Sequence, residues 1–412
     1  WFYPLSMKVG NVRKMGEMWN KIMGSVFGLR NAADNIVQMS ESVAPYYFYK
    51  CSSKFRGAAS SVASIDIGGG SSDVVVFEPG ASQPSIVTSF RFAANVLFGD
   101  AFSDVPHGDS NPMTQKYVHY FRQLFDSDDD RYGELSGILS DIESKRRSED
   151  INAFLFSIEN NKVTRGNDTF SYNLRLNEDT TRKVVFVYFY SAIIYYVARM
   201  MRHRQIEMPR SVMFSGTGSK VLDIVGSQRD LDQITRYIFE KVYGQTVGED
   251  GLSVIMERNE PKQITCRGAL MQTRTASGIM DVEKLNTMLD SYDSNLKYVF
   301  SNTDKEQIRY DDMQQQEVRD MVVKSVEEFN NFFSTMCDDI HIVDTFLVNY
   351  KALQMFRQLV GKDLEHHLAN GWQYMNRNME EKNGNDIIED AVFFYPVIGA
   401  IRDNLIENLK DE

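Results

Sequence analysis

The chain has 412 residues, 42% of them hydrophobic and 25% charged, a globular composition long enough for two or three packed domains. Its 45 basic and 57 acidic side chains leave a net charge of −12, which excludes a general nucleic-acid binder and a protein held on an anionic membrane by charge alone. Cys51, Cys266 and Cys337 lie far apart, fit neither CxxC nor zinc spacing, and read as reduced thiols, so a cytoplasmic protein is expected.

The first predicted element is a helix over 12–27, followed by a short strand at 35–40. Ser40 is placed to cap a helix over 41–49 that tolerates Pro45 in its first turn. Glu41 would lie in that first turn, where a carboxylate complements the helix dipole. In residues 61–77 two β-branched runs flank Gly68, Gly69 and Gly70, with Asp66 and Asp73 at the shoulders. The runs read as strands and the glycines as the tight link between them. Without Cβ atoms in the way, backbone amides there can converge into a concavity for an anion such as phosphate. Ser71 and Ser72 add hydroxyls, and the two carboxylates would suit a hydrated Mg²⁺. Neither the GxxxxGK[ST] loop nor the GxGxxG fingerprint is present, because no helical pattern follows the glycines. The plainer alternative is a glycine-rich hairpin with polar ends.

A third strand is predicted over 84–92, then a helix over 93–102. Residues 103–180 read as a polar, irregular, inserted subdomain. Its acidic run at 126–130 is read as a solvated loop, since an EF-hand needs Gly at Arg131 and Glu at Gly137. A buried helix follows over 180–204; its uncharged run, 184–198, holds four tyrosines and falls short of the ~20 apolar residues of a membrane span. That helix ends in Arg199, Arg202, His203 and Arg204, which suit a helix C-terminus. Ser211 to Phe214 form a short strand that breaks into Ser215-Gly216-Thr217-Gly218-Ser219-Lys220 before a helix at 221–225. Small residues ahead of a helix start suit an anion or nucleotide, or simply an ordinary strand–helix turn. A helix over 230–243, a strand over 252–257 and a small-residue helix start over 264–271 complete this part.

From 275 onward helical spacing dominates: Val318, Val322, Val326, Phe329, Phe333 and Met336 share one helix face. A second helix or pair is expected over 344–378, interrupted near Gly361 or Gly371, and a last one over 387–409, kinked or split at Pro396. His366 and His367, being adjacent, point to different sides of a helix and read as part of a solvated face rather than a metal site.

The order of these pieces resembles the actin-like ATPase superfamily, which includes actin, the chaperone ATPase domain and sugar kinases. The stretch from Asp66 to Asp73 is similar to that family's second phosphate motif, with Ser71 in place of Thr. Ser40 to Ala44 resembles the first connecting segment, which would make Glu41 the carboxylate facing the cation. Val212 to Ser219 resembles the adenosine motif, with Thr217 in place of a glycine; 263–271, with Gly268 and Ala269, resembles the second connecting segment. Residues 89–100 are similar to the passage after the phosphate hairpin. The family's first phosphate motif has no counterpart before Glu41, so a truncated chain is expected.

The resemblance implies an α/β fold: a ribonuclease-H-like, actin-type ATPase lobe, with a mixed sheet flanked by helices, over 61–275. A remnant of the first lobe at 1–60 would precede it, an insert at about 103–180 would interrupt it, and an all-α module at 276–412 would follow. It implies ATP or ADP with Mg²⁺ as cofactors, with the phosphates on Gly68, Gly69, Gly70 and Ser71. The cation would lie on Asp66 and Glu41, Asp73 would hold a second cation or orient water, and Ser215, Gly216, Thr217, Gly218 and Ser219 would border the adenosine. Glu41, Asp66 and Asp73 would be the catalytic set. A chaperone-like ATPase unable to complete hydrolysis without its other lobe is the implied function, its partners being adenine nucleotide and either that lobe or other proteins. The alternative is a non-catalytic actin-fold scaffold or assembly protein that docks partners through its helical tail; a sugar or acid kinase ranks third.

Overall fold

The computed structural model describes residues 1–5, 7, 9–29, 36–51, 60–81, 83–100, 111–126, 130–144, 147–248, 251–257, 261–274, 308–377, 383–388 and 390–407. Near the N-terminus, β1 (Phe2–Tyr3) pairs in parallel with β2 (Met39–Ser40), and the helix Val9–Phe27 lies between them in sequence. The predicted 35–40 strand is thus reduced to its last two residues among those described.

The main sheet is built on β3 (Val62–Ile67), whose apolar run is buried on both faces, as a central strand requires. It pairs antiparallel with β4 (Ser72–Phe77), and β4 pairs antiparallel with β5 (Ile86–Phe90). On the other side of β3, β6 (Ser211–Ser215) and then β7 (Ser253–Met256) add in parallel, giving the order β5-β4-β3-β6-β7. Parallel neighbours need crossovers, and here helices supply them. The helix Lys183–His203 precedes β6, and Gln228–Tyr243 lies between β6 and β7. The first of these is long and apolar enough to cross a membrane by length and composition, but 94% of its most apolar window is packed inside the molecule.

Residues 103–180 differ from the irregular segment expected. Their described part is largely helical: Pro112–Phe125, Gly133–Ser144, Ser148–Ile158 and Tyr172–Glu178. The Asn111 side chain accepts from the Met113 and Thr114 amides with Pro112 behind it, a strong helix start. These helices bury Phe121, Phe125, Leu135, Leu139 and Leu155 and turn their charges outward, so their composition resembles that of a loop. The centre of the acidic run, 127–129, lies outside the described residues, as do 101–110 and 275–307. The predicted 93–102 helix is described only as Asn95–Phe98.

In the C-terminal part the six spaced apolar residues are all buried on the helix Gln316–Asp339. The helix pair Tyr350–Gly361 and Leu364–Asn376 breaks beside Gly361, not at Gly371. A Cβ on Gly371 would overlap the Tyr395 carbonyl, so that glycine serves a close helix crossing. Pro396 falls in the first turn of the helix Phe394–Glu407, where it is tolerated, and neither kinks nor splits it. His367 also departs from its expected solvated face: it is buried, with Nδ1 2.7 Å from Asp403 and Nε2 2.9 Å from the Leu359 carbonyl. These helices share one apolar core with the sheet. Phe394 stacks on Phe90 and Phe92 at 4.7 and 4.4 Å between ring centres, and Phe329 packs on Tyr188 and Tyr195 of the helix Lys183–His203.

Candidate functional site

Polar groups gather where β3, β4 and β6 meet the glycine turn. The strand register sets Asp66 opposite Asp73 on β4 and beside Ser215 on β6. Ser215 Oγ donates to Asp66 Oδ2 at 2.7 Å, and Ser89 Oγ, from β5, donates to Asp73 Oδ1 at 2.5 Å. Ser42 Oγ donates to the other oxygen of Asp73. Ser42 comes from the turn after β2, which also carries Glu41. That turn precedes the helix Ala44–Lys50, so Glu41 is not in a first helical turn as the sequence suggested. The Ser40 hydroxyl accepts from the Ser42 amide at 3.3 Å instead of capping a helix over 41–49. Val43 occupies the N-cap with no side-chain bond.

The three carboxylates lie close enough to repel one another. Burial pushes Asp66 up to about 7, with the Ser215 bond opposing and the charges of Asp73 and Glu41 reinforcing. Burial also raises Asp73, against its two serine bonds. Glu41 is raised by burial first and by Asp73 second. Carboxylates held together in a dry site favour a proton or a cation. Among the described residues no three Asp, Glu, His or Cys side chains are grouped as metal ligands.

The glycine turn is pinned on one side and open on the other. The Gly68 amide donates to the Ser71 carbonyl at 2.9 Å, while the Gly68 and Gly69 carbonyls accept from the Ala94 and Asn95 amides at 3.2 and 2.8 Å. Gly69 and Gly70 are exposed, and the Gly69, Gly70 and Ser71 amides make no hydrogen bond among the described residues. The concavity thus has three free donors and not four, since Gly68 spends its own on closing the turn. Ser72 is also spent, donating to the Phe92 carbonyl at 2.6 Å.

The second small-residue turn abuts the first. Gly216 has φ +82°, a left-handed conformation that favours glycine, and a Cβ there would overlap the Ile67 carbonyl. A Cβ on Gly218 would overlap the Gly68 carbonyl. Thr217 is exposed at the rim. Ser219 is buried and turns its hydroxyl back to the Gly216 carbonyl at 2.6 Å, closing the short 3₁₀ turn Thr217–Val221 instead of facing outward.

The two segments read as connectors also meet. A Cβ on Gly268 would overlap the Ala44 carbonyl, so the helices Ala44–Lys50 and Pro261–Arg274 cross in backbone contact. Tyr49 donates to the Phe214 carbonyl at 2.6 Å and accepts from the Glu257 amide at 3.2 Å, tying this crossing to the ends of β6 and β7.

Sequence reasoning missed several neighbours. A cavity of about 220 Å³ flanks the hairpin, bordered by Gly69, Gly70, Arg91, Asn95, Glu149 and Tyr374. Arg91 pairs with Asp390 and donates to the Met375 carbonyl at 3.1 Å, and one buried oxygen of Glu149 has no partner among the described residues. Nothing in the local sequence joins 149 and 374 to residue 70; only the packed helices do. A larger cavity, about 900 Å³, lies at the opposite end of β3 and β6, away from the carboxylates and the open amides. Chemistry, not volume, locates the candidate site at the glycine turns. No protein-family model matches the chain, and no curated protein matches its sequence.

Proposed function

We propose that this chain is an adenine-nucleotide-binding lobe of an actin- or chaperone-like ATPase, with ATP or ADP and Mg²⁺ at the two glycine turns. The observation that carries the reading is their juxtaposition: open amides at Gly69, Gly70 and Ser71 beside the Gly216–Gly218 backbone, next to three mutually repelling carboxylates. A three-strand antiparallel meander extended by two parallel strands on the free side of its first strand supports a ribonuclease-H-like lobe of this kind.

Mg-ATP would bring a phosphoanhydride and a hydrated cation to this edge. The Gly69, Gly70 and Ser71 amides would bind phosphate oxygens, needing no reorganisation because the hairpin is already pinned by Ala94 and Asn95. Asp66 and Glu41 would hold the cation's waters, and Ser215 would orient Asp66. Asp73, fixed by Ser42 and Ser89, would orient a water or bear on a second cation. Gly216, Thr217 and Gly218 would lie against the adenosine. Hydrolysis would need the other lobe, so slow or no turnover is expected from this chain.

Calorimetry with Mg-ATP tests the reading. Wild type should bind one equivalent, with affinity lost on removing Mg²⁺ and in Asp66→Ala; equal heats from wild type and Asp66→Ala would refute it. The scaffold alternative draws support from the Gly68 amide, which closes the turn onto the Ser71 carbonyl instead of facing a ligand. It predicts no nucleotide binding in the wild type.

A further inference from the structure

The wide cleft at the other edge of the sheet has no role in the nucleotide reading. It measures about 900 Å³ and is bordered by Ser60, Arg202, Gln205, Glu207, Arg210 and Gln245. Ser60 and Arg210 stand just before β3 and β6, whereas Asp66 and Ser215 stand at the far ends of the same strands. At ~3.3 Å per residue the two sites are roughly 20 Å apart. The volume falls within the range of about 300–1,000 Å³ usual for small-molecule sites.

Three features of the cleft point to the same ligand chemistry. Ser60 is 7% exposed, yet its hydroxyl oxygen has no hydrogen-bond partner among the described residues, an unfavourable state that a bound acceptor or donor would relieve. Two exposed arginines, Arg202 and Arg210, border the cleft of a chain whose net charge is −12. Arg202 is steadied by its bond to the Val242 carbonyl, while the Arg210 side chain makes no ion pair or hydrogen bond among the described residues. Gln205 follows the last turn of its helix at φ +59°, a position that favours glycine or asparagine, and is an exposed carboxamide residue on the border of the cleft. Glu207 is the single carboxylate among the described lining residues, so positive groups outnumber it. Met208, Pro209 and Val247 supply an apolar wall.

We infer that this cleft binds a small organic anion. Its carboxylate or phosphate group is held by Arg202 and Arg210, with Gln205, Gln245 and Ser60 supplying hydrogen bonds, and its apolar part lies on Met208 and Val247. The site is independent of nucleotide binding at the glycine turns.

Thermal unfolding of the full chain with inorganic phosphate, citrate or sodium chloride at matched ionic strength tests this. The expected result is a saturable rise in Tm with phosphate or citrate beyond that with chloride. A stronger response to citrate identifies a carboxylate ligand, and a stronger response to phosphate identifies a phosphate ligand. Arg210→Gln should raise the half-saturating concentration about tenfold, the effect of losing one charge-assisted bond. Gln205→Gly, which suits the backbone and so keeps the fold, should raise it as well. A response no larger than that to chloride overturns the proposal, as does a saturable response unchanged in both variants. Loss of the response in Gly70→Val, with Arg210→Gln unaffected, would assign the anion to the hairpin and also overturn it.

Discussion

Asp66 ionises near 7 in the folded protein, against about 4 in an unfolded chain. Its folded pKa is raised, so its contribution to stability is fully present below about pH 4 and is lost as pH climbs through 7. Calorimetric Tm should therefore fall between pH 5 and pH 8 in metal-free buffer. Asp66→Asn should flatten that fall and be the more stable protein at pH 8; an unaltered slope would show that Asp66 is not the group responsible. Mg²⁺ should stabilise wild type more at pH 8 than at pH 5, because only the ionised cluster attracts it. His367 obeys the same sign rule. Burial works against its charged form, but Asp403 and the Leu359 carbonyl, one at each ring nitrogen, outweigh that and raise its pKa. The imidazolium donates to both, and its stabilisation disappears as pH rises past that value. In Asp403→Asn the His367 titration followed by NMR should move to lower pH; no movement would mean that Asp403 does not hold the proton.

Two elements meet at Gly268, and two more at Gly371, with no room for a side chain. Val at either position must separate helices whose backbones touch, at a cost of about 2–4 kcal/mol in urea denaturation, the range for severe overpacking. Losses below about 0.5 kcal/mol would place those crossings elsewhere. Which elements were legible in the sequence follows from how each is buried. β3, β4 and β6 are apolar on both faces and bounded by small residues, so their runs stand out, as does the helix Lys183–His203, buried over its whole length to Ala198. The helices of 112–158 hide behind their charged outer faces. Asp66, Asp73 and the glycines announced the site because they are contiguous. Ser42, Ser89 and Asn95, which fix Asp73 and the hairpin, do not stand out in the sequence, since each reaches the site only through tertiary pairing.

On the scale of the whole molecule the C-terminal helices and the sheet fold around common aromatic contacts, so their stabilities are coupled. Phe394, 1% exposed and stacked between helix and sheet, should cost about 3–5 kcal/mol when replaced by Ala. The variant should still unfold in one transition; a C-terminal melt separated from that of the sheet would contradict a shared core. The same packing sets one wall of the hairpin's flank, through Arg91 on Asp390 and Tyr374 beside Asn95. The proposed function requires that the open amides of the glycine turn take phosphate. The most direct measurement is amide hydrogen exchange at Gly69, Gly70 and Ser71 with and without Mg-ATP. The account predicts fast exchange in the free protein and at least about tenfold slowing when nucleotide is bound, as expected when an unpaired amide gains a charge-assisted bond. Unchanged exchange at saturating Mg-ATP would contradict it.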